Sequence, residues 1–183
     1  IVGCGAVGVE FASIYNAFGT KVTLIEVLPN IVPLEDEEIS KELKRVFTKK
    51  GIEVYTKAKL ESAKPAAGGV EVTFQTEKGE VKKYTVEKML MATGRGPNTK
   101  GIGLEKIGVT TDRGFVKVNE YMETNVKGVY AIGDIVPTQL LAHVAMQEGI
   151  VAVEKIAGKH PVPIKYNQVP SCTYCEPQIA SVG

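Results

Sequence analysis

The sequence predicts an α/β fold: a parallel sheet interleaved with helices, then an antiparallel β-meander, then a shorter mixed stretch. Three observations carry this. The opening IVGCGAVGVE sets three glycines between a strand-like stump and a helix-like run. Strand-like and helix-like runs alternate through residue 56, as in βαβ units. From Lys57 the apolar rhythm changes to a period of two.

Ile1 and Val2 form the strand stump, and the glycine turn opens a helix running to about Phe18. Val7, Phe11, Ile14, Tyr15 and Phe18 share one face of that helix, and Gly19 is a natural stop. Residues 21–27 (KVTLIEV) read as a nearly continuous apolar strand, as in a sheet covered on both faces. The next helix starts acidic (Glu35 to Glu38) and ends basic (Lys44, Arg45, Lys49, Lys50) before Gly51. Those charges suit its own dipole, and its buried stripe should be Ile39, Leu43, Val46 and Phe47. Residues 52–56 are another strand.

The meander comprises residues 59–62, 70–76 and 81–86, with turns at Gly68-Gly69 and Lys78-Gly79. Residues 88–92 (KMLMA) should return as a buried strand into Thr93-Gly94-Arg95-Gly96-Pro97-Asn98. Short strands at 116–118 and 129–132 follow, the second ended by Gly133-Asp134. A helix spans about 141–157, where Val144, Ile150, Val151, Val153 and Ile156 make an apolar face with no evident partner.

Composition excludes several classes. A net charge of +1 over 183 residues argues against nucleic acid and membrane surfaces as partners. No apolar run reaches the roughly 18 residues of a membrane span, and no signal-peptide pattern appears. Three cysteines are too few for a disulfide framework. They fit a reducing compartment, the cytoplasm or, in a eukaryote, the mitochondrial matrix. Cys172 and Cys175 form a C-x-x-C, but residues 168–174 look extended, and residues three apart on a strand face opposite ways. No helix start and no second ligand pair accompany them, so strand packing is favoured over a redox or zinc role. No metal site is read, and His160, in a Gly-Lys-His-Pro loop, reads as a solvated loop residue.

The glycine spacing carries chemistry. Gly3 permits the sharp turn, Gly5 lets backbone approach a pyrophosphate, and Gly8 lets the helix close on the sheet. The phosphates would meet free N–H groups at the helix start. Glu26 ends the next strand, 23 residues past Gly3 against the roughly 20 expected. A carboxylate there accepts from ribose hydroxyls and repels a 2′-phosphate, and no Arg follows in residues 27–31, so NAD is favoured over NADP. A second signal is Tyr130-Ala131-Ile132-Gly133-Asp134, an Asp at the carboxyl end of a strand. Alone it equally suits a turn Asp capping the next helix; residues 124–129 (TNVKGV) ahead of it shift the balance.

Together these segments resemble the pyridine-nucleotide disulfide oxidoreductases. The resemblance spans essentially the whole chain. It rests on GCGAVGVE, Glu26, ATGRGPNT (92–99), YAIGD, LAHVAMQEG (141–149) and YCEP (174–177). The stretch 142–149 is most similar to the lipoamide-oxidising branch, the dihydrolipoyl dehydrogenases. The resemblance implies an FAD/NAD(P)-binding Rossmann-like domain with a parallel sheet and meander, plus a remnant of the FAD domain. By it, Gly3, Cys4, Gly5, Ala6, Val7, Gly8, Val9, Glu10, Glu26, Leu60 and Gly94 would contact NAD. Asp134, Leu140, Leu141, Ala142 and His143 would contact FAD, and Glu10 would lie near nicotinamide and flavin. Residues 1–115 would be the NAD domain, 116–160 the C-terminal part of the FAD domain, and 161–183 the start of a dimer-interface domain.

The chain would then be a fragment. The family's redox dithiol and His–Glu acid–base pair would lie outside it, leaving no catalytic residue and an incomplete FAD site, so the fragment should be inactive. The intact enzyme would oxidise dihydrolipoamide on a carrier domain through an enzyme disulfide and FAD, passing a hydride to NAD. It would be a homodimer serving a 2-oxoacid dehydrogenase or glycine cleavage complex. Another flavoprotein disulfide reductase, an NADH oxidase, or a stand-alone NAD-binding module are the competing readings. The last leaves Asp134 and residues 142–149 without a purpose.

Overall fold

The computed structural model describes residues 1–183. The chain divides into two compact units, Ile1–Gly94 with Cys172–Ser181, and Arg95–Ser171 with Val182–Gly183. The break after Gly94 precedes the 115/116 position suggested by the sequence. No helix is long and apolar enough to cross a membrane.

The first unit begins with α1 (Ala6–Ala17), β1 (Thr23–Ile25), α2 (Glu37–Lys49) and β2 (Glu53–Tyr55). Strands β1 and β2 pair in parallel, Leu24 opposite Val54. Val2 forms parallel bridges to Ile25 on one side and Met91 on the other. Its N–H donates to the Leu90 carbonyl (2.9 Å), and its carbonyl accepts from Ala92 N–H (2.7 Å). The expected 88–92 strand is thus reduced to an edge of bridges, and it is not buried: Met91 is 55% exposed. With one neighbouring strand, the edge has little to cover it.

The sheet is covered on both faces, as KVTLIEV suggests. Leu24 belongs to a cluster with Val9, Ala12, Leu43, Phe47 and Ile52 beneath the helices. Ile25, the next residue, points the other way, into Val2, Ala58, Val72 and Phe74. That second layer is the meander: β3 (Lys59–Ala66), β4 (Gly69–Gln75) and β5 (Val81–Val86), antiparallel in that order. Phe74 meets Tyr55 and Tyr84 in tilted and edge-on contacts at 5.0 and 5.6 Å.

Helix α1 corrects the sequence reading of its inner face. It buries Gly8, Val9 and Ala12. The predicted face, Val7, Phe11, Ile14, Tyr15 and Phe18, is 38–80% exposed. The small residues face the sheet because only they allow the helix to approach so closely; the large ones remain outside, where Phe11 and Tyr15 stack at 5.9 Å. In α2, Leu43 and Phe47 are buried as expected and Val46 partly so. Ile39 is exposed, and Ser40 takes the inward position, donating to the Val32 carbonyl at 3.3 Å. Strands β8 (Ser171–Thr173) and β9 (Ile179–Ser181) pair with each other, and Cys175 and Ile179 join the helix-side core.

The second unit holds the hairpin β6 (Thr111–Asp112)/β7 (Phe115–Val116), three short 3₁₀ turns and α3 (Ala142–Ile156); its hydrophobic cluster is Val109, Val116, Ala131 and Val136. Two expected strands are corrected. The first ends at Val116, and 129–132 contributes only the Glu123–Tyr130 bridge. That bridge is closed by the Thr124 N–H on the Val129 carbonyl and the Ala131 N–H on the Met122 carbonyl, and no further pair extends it into a ladder. On α3, Val144 and Val151 are buried, contrary to expectation, while Ile150, Val153 and Ile156 are exposed together with Met146.

Candidate functional site

The glycine turn is shaped by two contacts and one opening. Gly3 has φ +92°, and a Cβ on it would overlap the Ala92 carbonyl. A Cβ on Gly8 would overlap the Gly3 carbonyl. Gly5 has ordinary φ (−69°), caps α1 without a side-chain bond, and a Cβ there would meet nothing within 4 Å. So Gly3 and Gly8 serve packing, and Gly5 faces open space beside an uncapped helix start with no acidic residue in its first turn. Free N–H groups and a positive dipole end meet at that opening.

Glu26 lies at the end of β1 and is only 6% exposed. Its Oε2 accepts from Cys4 N–H at 2.7 Å, and its Oε1 accepts from Leu28 N–H at 2.9 Å. The carboxylate therefore ties the glycine turn to the loop after β1. Each oxygen keeps a lone pair for a further donor such as a ribose hydroxyl. The same loop is held by Val32 N–H donating to the Cys4 carbonyl (2.7 Å), with Val32 at φ +41°, uncommon for a β-branched residue. The open Gly5 cradle, bare helix start and strand-end carboxylate fit a dinucleotide with free ribose hydroxyls.

The other predicted contacts are placed differently. Glu10 Oε1 accepts from Tyr174 N–H (2.7 Å), and Ser13 Oγ accepts from Glu176 N–H (3.0 Å), so residues 174–176 are tied to α1. Ala6 and Val7 are exposed; Cys4 and Val9 are buried. Leu60 is half-buried against the meander-side cluster. Gly94 is exposed at φ +116°.

In the second unit, Asp134 sits in the 3₁₀ turn Gly133–Ile135. Arg95 donates through Nη1 to Asp134 Oδ2 (2.9 Å) and through Nη2 to the Leu140 carbonyl (2.8 Å). Oδ1 of Asp134 remains free to accept. Leu141 caps α3, Ala142 begins it, and both Ala142 and His143 are exposed. His143 donates through Nε2 to the Pro170 carbonyl at 3.0 Å. An outward carboxylate beside the start of a helix fits a polyhydroxy ligand such as the ribityl chain of FAD.

The model of the family described as pyridine nucleotide-disulphide oxidoreductase matches residues 1–149. The chain belongs to this family. It is 46% identical over its full length to the dihydrolipoyl dehydrogenase of Bacillus subtilis and 45% to that of Rhizobium etli. It spans only 39% and 38% of those two proteins. The crystal structure of LpdA from Mycobacterium tuberculosis superposes with a TM-score of 0.89 at 31% identity, over all of this chain and 39% of that one. The expected α/β fold is the one this family shares.

Within this family member, sequence reasoning passed over two residues. In the sequence Arg95 stands only as one residue of the motif ATGRGPNT. Glu148, on the buried side of α3, is 0% exposed and accepts from Gly133 N–H (2.7 Å), Thr138 Oγ (2.7 Å) and Tyr166 OH (3.0 Å). A signal for it existed: at helical spacing Glu148 falls between Val144 and Val151, on the face that packs.

The three thiols are free, with Cys172 exposed and Cys4 and Cys175 buried. Burial pushes the Cys4 thiol up to about 12, reinforced by the Glu26 carboxylate. Burial likewise raises Cys175 to about 11, and its Sγ donates to the Pro177 carbonyl. Both stay protonated near neutrality, and the thiolate is the reactive form. A thiol-specific chromogenic reagent at pH 8 should therefore react rapidly with one thiol per native chain, Cys172, and with all three only after denaturation. Rapid native reaction of more than one would contradict this.

Proposed function

We propose that the chain forms the nicotinamide cradle and one wall of the flavin site of a dihydrolipoyl dehydrogenase. The observation that carries this is the buried Glu26 carboxylate at the end of β1, tied to the glycine turn by the Cys4 N–H. The two dihydrolipoyl dehydrogenases at 45–46% identity support the substrate class. Because the chain spans about 40% of their length, the activity belongs to the longer polypeptide of which this reading makes it a part.

In this reading the N–H groups at Gly5, Ala6 and Val7 receive the NAD pyrophosphate. Glu26 accepts from the adenosine ribose, and Leu60, Gly94 and Glu10 border the rest of the dinucleotide. When bound, FAD supplies electron transfer between dihydrolipoamide and NAD. Asp134 would accept from its ribityl chain, with Leu140 to His143 beside it. Residues 1–115 form the NAD domain, 116–160 complete the FAD domain, and 161–183 begin a dimer interface. The whole enzyme is a cytoplasmic or matrix homodimer taking lipoamide from a carrier domain of a 2-oxoacid dehydrogenase or glycine cleavage complex.

Calorimetric titration tests the cofactor side. NAD should bind this chain at least about tenfold more tightly than NADP, since an unpaired like-charge contact costs more than 1.4 kcal/mol. Equal or tighter NADP binding would overturn the reading. The purified chain should also show no flavin band near about 450 nm and no lipoamide turnover, because the protein must hold both cofactors together for the relay.

A further inference from the structure

We propose that Glu148 is a positioning residue for the Asp134 loop, pinning it from inside while Arg95 pins it from outside.

Glu148 is a fully buried carboxylate with no ion pair. Buried acids are normally paired with cations, because desolvating an unpaired charge is costly. Here three neutral donors replace the cation, Gly133 and Thr138 from the loop ahead of α3 and Tyr166 from the turn after it. All three must be in place at once, so the cost of leaving the charge unsatisfied enforces one loop geometry. An apolar side chain would fill the same space between Val144 and Val151 but could not hold the Gly133 N–H.

What this holds is the turn that presents Asp134. Gly133 has φ +73°, and its inward N–H leaves the next residue directed outward, its side chain 51% exposed. The outer side is held by Arg95, on Asp134 Oδ2 and the Leu140 carbonyl. The loop from 133 to 141 is thus fastened inside at 133 and 138 and outside at 134 and 140. Neither clamp touches Oδ1 of Asp134. A loop already held in its binding shape does not have to be ordered when a ligand arrives. This role rests on the flavin reading of Asp134 for its purpose, but not for its geometry.

The test uses the ligand-free full chain and Glu148→Met, which keeps the length of the side chain and removes both acceptor oxygens. Amide hydrogen exchange at Gly133 should accelerate about tenfold or more, while Leu24, Ile25 and Val54 amides stay unchanged. The Arg95 guanidinium, which does not touch Glu148, should lose its separate Nη NMR signals as its grip on Asp134 loosens. Unchanged Gly133 protection, a uniform acceleration across the unit, or unchanged Arg95 signals would each overturn the proposal. Should Glu148→Met not fold, Thr138→Val and Tyr166→Phe each remove one donor and must give the same two signatures more weakly; their absence also overturns it. The flavin reading is judged separately, in the longer flavoprotein of which it makes this chain a part: there Asp134→Ala should lower FAD retention, and unchanged retention would overturn that reading while leaving the exchange and Arg95 signatures to judge the clamp.

Discussion

Gly8→Ala should prevent the first unit from folding stably, whereas Gly5→Ala should leave it folded and weaken NAD binding. The two glycines sit three residues apart in one motif, yet their surroundings differ in kind. The new Cβ at position 8 would overlap the Gly3 carbonyl, a backbone atom that no rotamer change can move aside. Overpacking costs typically 1–3 kcal/mol, and a rigid partner puts this case at about 3 kcal/mol or above. In a unit of about 100 residues that lowers Tm by roughly 12 °C or more. At position 5 the Cβ meets nothing, so the fold loses no more than about 1 kcal/mol from a poorer helix cap. The same Cβ stands where the pyrophosphate would come, and NAD affinity should fall about tenfold or more. Thermal unfolding by circular dichroism and calorimetry with NAD separate the two. If Gly5→Ala binds NAD normally, the open face is not the cofactor face. If Gly8→Ala melts like the parent chain, close packing of α1 is not what that glycine serves.

Glu26→Ala should cost both stability and cofactor. Removing the carboxylate leaves the Cys4 and Leu28 N–H groups without acceptors in a site that is largely shielded from water. An orphaned buried donor costs about 1–3 kcal/mol, so a loss of roughly 2–4 kcal/mol of stability is expected for the pair. Loss of charge-assisted bonds to the ribose should weaken NAD about 100-fold. The preference over NADP should nearly vanish, since the charge that repels a 2′-phosphate is gone. Glu26→Gln should fall between, because its carbonyl oxygen can hold one N–H while its NH₂ confronts the other. NAD affinity within twofold of the parent value in a folded Glu26→Ala chain would remove Glu26 from the ribose site.

The shape of the glycine turn and the place of Glu26 at a strand end are legible from residue types alone. A turn that needs φ above +90° at Gly3, a helix that must approach a carbonyl at Gly8, and an acid at the next strand end are local demands, met within about 26 residues of chain. The two-sided burial of Leu24 and Ile25 was equally local, because alternation on a strand is set by the backbone. The long-range choices were not. Helical spacing groups Val7, Phe11, Ile14, Tyr15 and Phe18, yet which face turns inward depends on how close the sheet comes, and Gly8 and Ala12 fit nearer than Phe11. Apolar content suggested a buried strand at 88–92, but burial depends on neighbours, and Met91 is at an edge. Glu148 and Arg95 were hidden for the same reason. Their partners lie 10 to 18 and 39 to 45 residues away along the chain, and only folding brings those donors and acceptors within about 3 Å, where a buried charge can be satisfied.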